Sequence, residues 1–332
     1  MPKVLFVGDV HPDGHRLLDT RPEFESVPFT DPKPADLVDA VPDVDAIVLR
    51  KLHLGADVLG MAGRLKMVAR HGVGCDNIDV DHLTQRGIPV LTVGGANAVS
   101  VAEHAMMMLL SAARRLPACM DLLRTAEDGE GRERFLVSRD AVGTMELAGQ
   151  AVMIVGFGRI GRRLARLASA FDMEVIVADP FVDPSLPEAL GYRHVRSSGE
   201  ALGEADCIVL CLPAAPEDAP LLDAARLARM KKGAILVNVA RGSLVDEDAL
   251  ADAVEGGHLR AAATDVWRHL PPGPHHRLVS LPNMVVTPHC AAHTDACLSR
   301  MAVVSVRNVL DFFDGQLKRE LCANPEALGP AG

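Results

Sequence analysis

The sequence predicts an α/β protein made of two doubly wound parallel-sheet domains, and three observations carry that reading. Two separate series of short apolar runs alternate with helical patterns, a βαβ rhythm that implies parallel strands covered by helices. A glycine-rich turn, Gly156-Phe-Gly158-Arg-Ile-Gly161, lies directly between a strand-like run and a helical one. The 332 residues, at roughly 150 per domain, suit two domains.

In the first series, Lys3–Val7, Ala46–Leu49, Val68–Ala69 and Pro89–Thr92 read as strands. A Pro- and Asp-rich stretch separates the first two. Val68–Ala69 leads into His71-Gly-Val-Gly-Cys-Asp-Asn, a loop of residues that tolerate left-handed backbone or bond their own chain. Val99–Leu116 then reads as one long helix, apolar nearly all round through Met106–Leu110, which predicts burial between domains or subunits. Between Thr125 and Arg139 the chain is charged and contains glycine, the pattern of a surface connection. The second series begins at Gln150. Its strands are Val152–Val155, Val175–Ala178, Cys207–Leu212, Ile235–Val239, Ala262–Val266 and Met284–Thr287. Helical patterns fill Arg159–Phe171 and Glu247–Glu255, and the tail from Thr294 to Phe313 is again helical.

Composition narrows the function classes. Apolar types make up 48% and charged types 23%, a balance that gives a sizeable core and excludes disorder for most of the length. The net charge of −10, with no basic block to offset it, argues against nucleic acid and anionic membranes as partners. The longest apolar run, Ala105–Ala113, falls short of the ~18–20 residues a membrane span needs. No basic-then-apolar leader with a small-residue cleavage site is legible at the start. The seven cysteines form no CxxC pair and no metal-like spacing. Cys207 and Cys211, flanking an apolar strand, read as buried thiols. The expectation is a cytoplasmic protein without a metal.

The glycine turn carries the first chemistry. Gly156 permits a tight turn, Gly158 lets backbone approach a pyrophosphate, and Gly161 allows close helix–strand packing. The helix that opens at Arg159 and Ile160 offers unpaired N–H groups and a partial positive charge to that anion. Eighteen residues past Gly161, the next strand ends in Ala178-Asp179-Pro180. An acidic group there accepts hydrogen bonds from ribose hydroxyls and repels a 2′-phosphate. No Arg or Lys follows before Arg193, so NAD is expected rather than NADP.

Three stretches together resemble the D-isomer-specific 2-hydroxyacid dehydrogenase family. They are Gly72-Val-Gly-Cys-Asp-Asn-Ile-Asp-Val80, the glycine turn, and Met230-Lys-Lys-Gly-Ala-Ile-Leu-Val-Asn-Val-Ala-Arg-Gly-Ser-Leu-Val-Asp246. Thr287-Pro-His289 is a fourth, shorter match. The resemblance implies a Rossmann-type NAD domain, residues 99–290, inserted in a flavodoxin-like substrate domain of residues 1–98 and 291–332. It also implies a homodimer that uses the long helix near 99–116. It adds Val101, Leu212, Pro213, Val239 and Ala240 to the cofactor site, and Asp265 at its nicotinamide side. Asn97 and the backbone of Val73 and Gly74 match positions that line a small carboxylate substrate. Arg50 and Arg70 match anion-contacting positions of D-3-phosphoglycerate dehydrogenases and of other members.

The chemistry of the remaining residues agrees with the resemblance. Reduction of a 2-keto acid needs a cation for the carboxylate and a proton donor for the carbonyl oxygen. Arg241 follows a strand at the carboxyl edge where open α/β sheets bind ligands, and its planar fork grips a carboxylate. His289 also follows a strand, and an imidazole is the side chain suited to proton transfer near neutral pH; the resemblance also places it at the cofactor. One position departs from the family. Most members place a Glu five residues after the Asp matching Asp265, where it pairs with the proton-transferring His and raises its pKa. This chain has Leu270. His269 and His293 are candidate substitutes for that partner. The run Ser100–His104 is shared with the formate dehydrogenase branch, whose Gln at the Glu position Leu270 does not match either. Two alternatives to a 2-hydroxyacid dehydrogenase therefore stand: a small-anion dehydrogenase acting on formate or phosphite, and an NAD(H)-sensing binding protein with little turnover.

Overall fold

The structure is a computed structural model that describes residues 1–29, 33–125, 132–214, 219–273 and 275–329. It divides into two compact units, Met1–Asn97 with Ala292–Gly332, and Ala98–Ala291.

The first unit is a five-stranded parallel sheet: β1 (Lys3–Val7), β2 (Glu25–Phe29), β3 (Ala46–Leu49), β4 (Met67–Arg70) and β5 (Val90–Leu91). The order β2-β1-β3-β4-β5 is the flavodoxin-like doubly wound arrangement. Successive residues alternate between the sheet's two faces. Leu5, Val7, Ile47, Leu49 and Val68 enter one core, and Val4, Phe6, Ala46, Val48 and Met67 the other. The second core is closed by the carboxy-terminal helix Asp295–Phe313 through Ala302, Val306, Val309 and Leu310. Thr294 caps that helix by accepting from the Cys297 N–H at 3.2 Å. This packing joins the chain's tail to its first third.

Strand β2 was not foreseen. Its sequence, ESVPF, is only half-buried and contains Pro28, which lacks an N–H and is tolerated only because β2 lies at the sheet edge.

The second unit holds seven parallel strands: β6 (Ala151–Val155), β7 (Glu174–Ala178), β8 (Arg193–Val195), β9 (Cys207–Leu210), β10 (Ile235–Asn238), β11 (Ala261–Thr264) and β12 (Met284–Val286). Their order is β12-β11-β10-β9-β6-β7-β8, and the chain's order reverses beside β6. Several strands end earlier than their apolar runs suggest, because side chains at the carboxyl edge turn the backbone. Asn238 Oδ1 accepts from the Ala240 N–H at 3.0 Å, and the Thr264 hydroxyl donates to the Val266 carbonyl at 2.6 Å. The short edge strand β8 has too little apolar character to be read.

The expected single helix Val99–Leu116 is two helices, Ala98–Ala113 and Leu116–Arg124. Arg115 between them is left-handed at φ 48° and Pro117 sits in the second helix's first turn, a place proline accepts but a helix interior does not. The first helix packs on β10, β11, β12 and the helix Arg159–Ala170 of its own unit, while Met107 stays 42% exposed. Of the charged stretch after Thr125, residues 126–131 lie outside the described residues, and Arg132–Asp140 is helical rather than a plain connection. Among the described residues, no helix is long and apolar enough to cross a membrane.

Candidate active site

The glycine turn follows β6 directly, and its geometry fits a dinucleotide. Gly156 has φ +94°, and a β-carbon there would lie 2.9 Å from the Cys211 carbonyl oxygen. A β-carbon on Gly161 would meet the Gly156 carbonyl at 2.0 Å, so helix and turn touch only because both residues are glycine. Gly158 is different: it caps the helix Arg159–Ala170, and nothing lies within 4 Å of where its β-carbon would be. Open space at a helix amino terminus is the cradle a pyrophosphate requires. Asp179 closes the turn from the end of β7, accepting from the Phe157 N–H at 2.7 Å and the Phe181 N–H at 2.9 Å. Pro180 and Pro213 are exposed and Ile160 and Leu212 half-buried, whereas Val101, Val239 and Ala240 are buried. Burial pushes the thiols of Cys207 and Cys211 up to about 12.

Arg241 stands three residues beyond β10. Asn238, buried, folds this turn by donating to the Arg241 carbonyl at 2.8 Å while accepting from Ala240. The guanidinium Nη1 donates to the Ala240 carbonyl at 2.8 Å. Gly242 is a constraint that motif matching did not explain: a β-carbon there would fall 2.0 Å from the carbonyl carbon of Trp267. The Arg241 turn is therefore pressed against the loop that follows β11.

His289 stands three residues beyond β12 in a left-handed conformation, φ +59°. The turn around it is tied down by several hydrogen bonds. The Thr287 N–H donates to the Thr264 carbonyl at 3.0 Å, and the Trp267 indole N–H donates to the Thr287 carbonyl at 3.0 Å. Asp265 accepts from the Thr287 hydroxyl at 2.6 Å, the Cys290 N–H at 2.8 Å and the Ala291 N–H at 3.0 Å. His104, from the helix Ala98–Ala113, brings Nε2 to 3.1 Å from the Thr287 hydroxyl and 3.5 Å from Asp265 Oδ1. Burial pushes the Asp265 carboxyl up, but the bonds from His104, Thr287, Cys290 and Ala291 outweigh it and hold the group at about 2. Asp265 is 1% exposed, and these contacts turn it toward the His289 turn rather than toward open space.

His104, Asp265 and Cys290 place one ligand atom each within 4.8 Å of one another. The carboxylate oxygens there are already engaged by three donors, so the cluster reads as a hydrogen-bond network. No sequence spacing could have revealed it. Leu270 is 55% exposed and His269 is exposed. Their loop is tied down by Glu247, which accepts from the Arg268 N–H at 2.9 Å and lies 3.2 Å from His276 Nε2.

In the first unit, Arg50 follows β3 and donates from Nη1 to the Asp9 carbonyl. Arg70 ends β4 and donates to the carbonyls of Gly74 (2.8 Å), Arg50 (2.8 Å) and Leu49 (3.1 Å). These bonds make Arg70 a brace for the loop carrying Val73, which is exposed, and Gly74. His71 is 3% exposed, and burial, with the charges of Arg50 and Arg70 nearby, holds its imidazole down at about 4. Asn97 is half-buried and His293 exposed.

Residues 106–291, more than half of the chain, match the family described as D-isomer specific 2-hydroxyacid dehydrogenase, NAD binding domain. The chain belongs to the D-isomer specific 2-hydroxyacid dehydrogenase family. The matched domain makes NAD the cofactor of the second unit. A D-3-phosphoglycerate dehydrogenase of Mycobacterium tuberculosis is 44% identical over 259 residues, 78% of this chain and 47% of that protein. The chain spans about half the length of the curated relatives it matches. Among solved structures of the family's fold, the TT0316 protein of Thermus thermophilus is 32% identical with a TM-score of 0.83, covering 95% of this chain and 98% of that one. The NAD-dependent formate dehydrogenase of Staphylococcus aureus, in complex with NAD, is 28% identical with a TM-score of 0.81, covering 97% and 98%.

Proposed function

We propose that the chain is an NAD-dependent oxidoreductase that moves a hydride between nicotinamide and a small D-2-hydroxy acid or 2-keto acid. In this reading Ala98–Ala291 binds the dinucleotide, and Asn97, Val73, Gly74 and Arg50 keep the substrate-binding role the resemblance implies, with Arg70 bracing the loop of Val73 and Gly74. One observation carries it. Asp179, the glycine turn, Arg241 and His289 all follow strands of one parallel sheet at the same edge, in the spatial order β7, β6, β10, β12. From β7 to β10 is three strand spacings, ~14 Å, a span for an extended dinucleotide running from adenosine ribose to nicotinamide. Asn238 and Val286 share one register level through Thr264, so Arg241 and His289, each three residues on, start ~10 Å apart. Two side chains reaching inward from that distance enclose one small acid.

The glycine turn and Asp179 would hold NAD, which would supply the hydride in reduction and accept it in oxidation. Arg241 grips the carboxylate and orients the carbonyl carbon. The His289 imidazolium donates its proton to the carbonyl oxygen on reduction and, as imidazole, takes it back on oxidation. Asp179 sets the preference for NAD through the ribose hydroxyls.

A second reading, an NAD(H)-binding sensor with little turnover, is favoured by Leu270 alone, since a leucine cannot orient or charge His289. NADH absorbance against a panel of 2-keto acids, with formate and phosphite in the oxidative direction, separates the readings. We expect turnover of at least one keto acid. NADH binding without any turnover supports the sensor, and activity on formate or phosphite alone supports a small-anion dehydrogenase. The helix Leu116–Arg124 buries none of its residues and exposes Leu116, Met120 and Leu123, which supports a homodimer. The net charge supports the absence of a nucleic-acid partner, and the seven free cysteines suit a reducing compartment such as the cytoplasm.

A further inference from the structure

His289 keeps a left-handed backbone, φ +59°, that residues with a β-carbon seldom adopt. With leucine at position 270, no carboxylate on that loop orients its ring. The turn that carries it sets where that ring can reach. That turn is held from below by Asp265, through the Thr287 hydroxyl and the N–H groups of Cys290 and Ala291.

The hydrogen inventory decides what His104 does there. A hydroxyl has one proton, and at 2.6 Å from Asp265 Oδ1 the Thr287 proton goes to the carboxylate. Toward His104 the same hydroxyl is an acceptor, so Nε2, at 3.1 Å, carries a hydrogen and donates it. The imidazole thereby points a donor at both the hydroxyl and, at 3.5 Å, the carboxylate. Without that donor the Thr287 oxygen loses its partner and Asp265 loses one of the groups that hold it charged in a buried site.

We propose that His104 is a positioning residue for His289: its Nε2–H fixes the Thr287 hydroxyl and the Asp265 carboxylate, which together hold the turn that presents the His289 imidazole. The proposal rests on reading His289 as the proton-transfer group. His104 touches neither substrate nor cofactor in it.

The test compares His104→Ala with His104→Gln in the full chain saturated with NADH, on the keto acid turned over fastest. His104→Ala should lower kcat at least tenfold while the NADH Kd stays within twofold. It should also speed amide hydrogen exchange at Cys290 and Ala291 at least tenfold. His104→Gln, whose side-chain amide also donates from its ε-nitrogen, should restore kcat to within threefold and restore the protection. A His104→Ala variant with kcat within twofold and unchanged exchange overturns the proposal. So does a glutamine variant as slow as the alanine one, which makes the imidazole a packing group only. If His104→Ala does not fold, Thr287→Val, which keeps the shape and removes the hydroxyl, must show the same loss and Thr287→Ser must not. If His289→Ala leaves turnover intact, the proton-transfer reading fails instead, and the exchange rates at Cys290 and Ala291 still decide whether His104 holds the turn.

Discussion

Asparagine at position 265 would keep the shape of the carboxylate and remove its charge. The two oxygens face different donors: Oδ1 takes the Thr287 hydroxyl and the Cys290 N–H, and Oδ2 takes the Ala291 N–H. An amide must put its NH2 against one of these sets, donor to donor. The magnitude follows from the carboxyl's displacement, from 3.8 to about 2. At ~1.4 kcal/mol for each tenfold change in the acid constant, the charged form gains about 2.5 kcal/mol of stability over the neutral one. At 1% exposure water does little to screen it. For a unit of this size, Asp265→Asn should lower the melting temperature by roughly 5–10 °C at pH 7. Trp267, the chain's single tryptophan, bonds the Thr287 carbonyl, so its fluorescence follows the melting of this turn. A depressed carboxyl gives stability that is present above its unfolded pKa and lost as pH falls through its folded one. The gap between the two proteins, full at pH 7, should therefore narrow from about pH 4 toward pH 2. A variant melting within a degree of the parent at pH 7, or a gap that does not shrink on acidification, would show that the Asp265 charge does not hold this turn.

Three further outcomes are expected. NADH should be preferred over NADPH by at least tenfold in kcat/KM, about 1.4 kcal/mol, and Asp179→Ala should narrow that ratio; equal use of both by the parent removes Asp179 from the ribose. Leu270→Glu should move the pH profile of keto-acid reduction to higher pH by holding the His289 imidazolium, with His269→Ala and His293→Ala as controls; a profile that stays put shows that position 270 does not face the proton-transfer group. His71, held at about 4 against an ordinary 6.5, binds no proton in the folded state where the unfolded chain does, so stability should fall by about 3 kcal/mol between pH 6.5 and 4, and urea unfolding of His71→Gln should show a flatter dependence over that interval.

The parts of this molecule that were legible in the sequence are those where one periodicity or one motif suffices. Strands buried on both faces, such as β6 and β10, announce themselves as continuous apolar runs, and Gly156, Gly158 and Gly161 each have a separate steric reason to be glycine. The edge strands β2 and β8 were not legible, because an edge needs neither a two-sided apolar run nor a full set of N–H donors. The break at Arg115 was hidden by apolar residues that continue across it, although Pro117 was the available signal. In the candidate site, Arg241 and His289 were readable from their places after strands. Their supports were not. Gly242 matters because Trp267 passes over it, and His104 because Asp265 and Thr287 meet it from 161 and 183 residues away. Hydrogen bonds across such separations leave no spacing to find, and only the packing of the helix Ala98–Ala113 onto β11 and β12 brings them together.

In the proposed reaction Arg241 and His289 act on one small carboxylate held beside the nicotinamide. Steady-state kinetics of Arg241→Lys on the best keto acid tests it most directly, because lysine keeps the charge and loses the bidentate fork. The KM for the keto acid should rise at least tenfold and kcat/KM fall sharply, while the NADH Kd stays within twofold of the parent. A kcat/KM within twofold of the parent, or a loss confined to NADH binding, contradicts that role of Arg241.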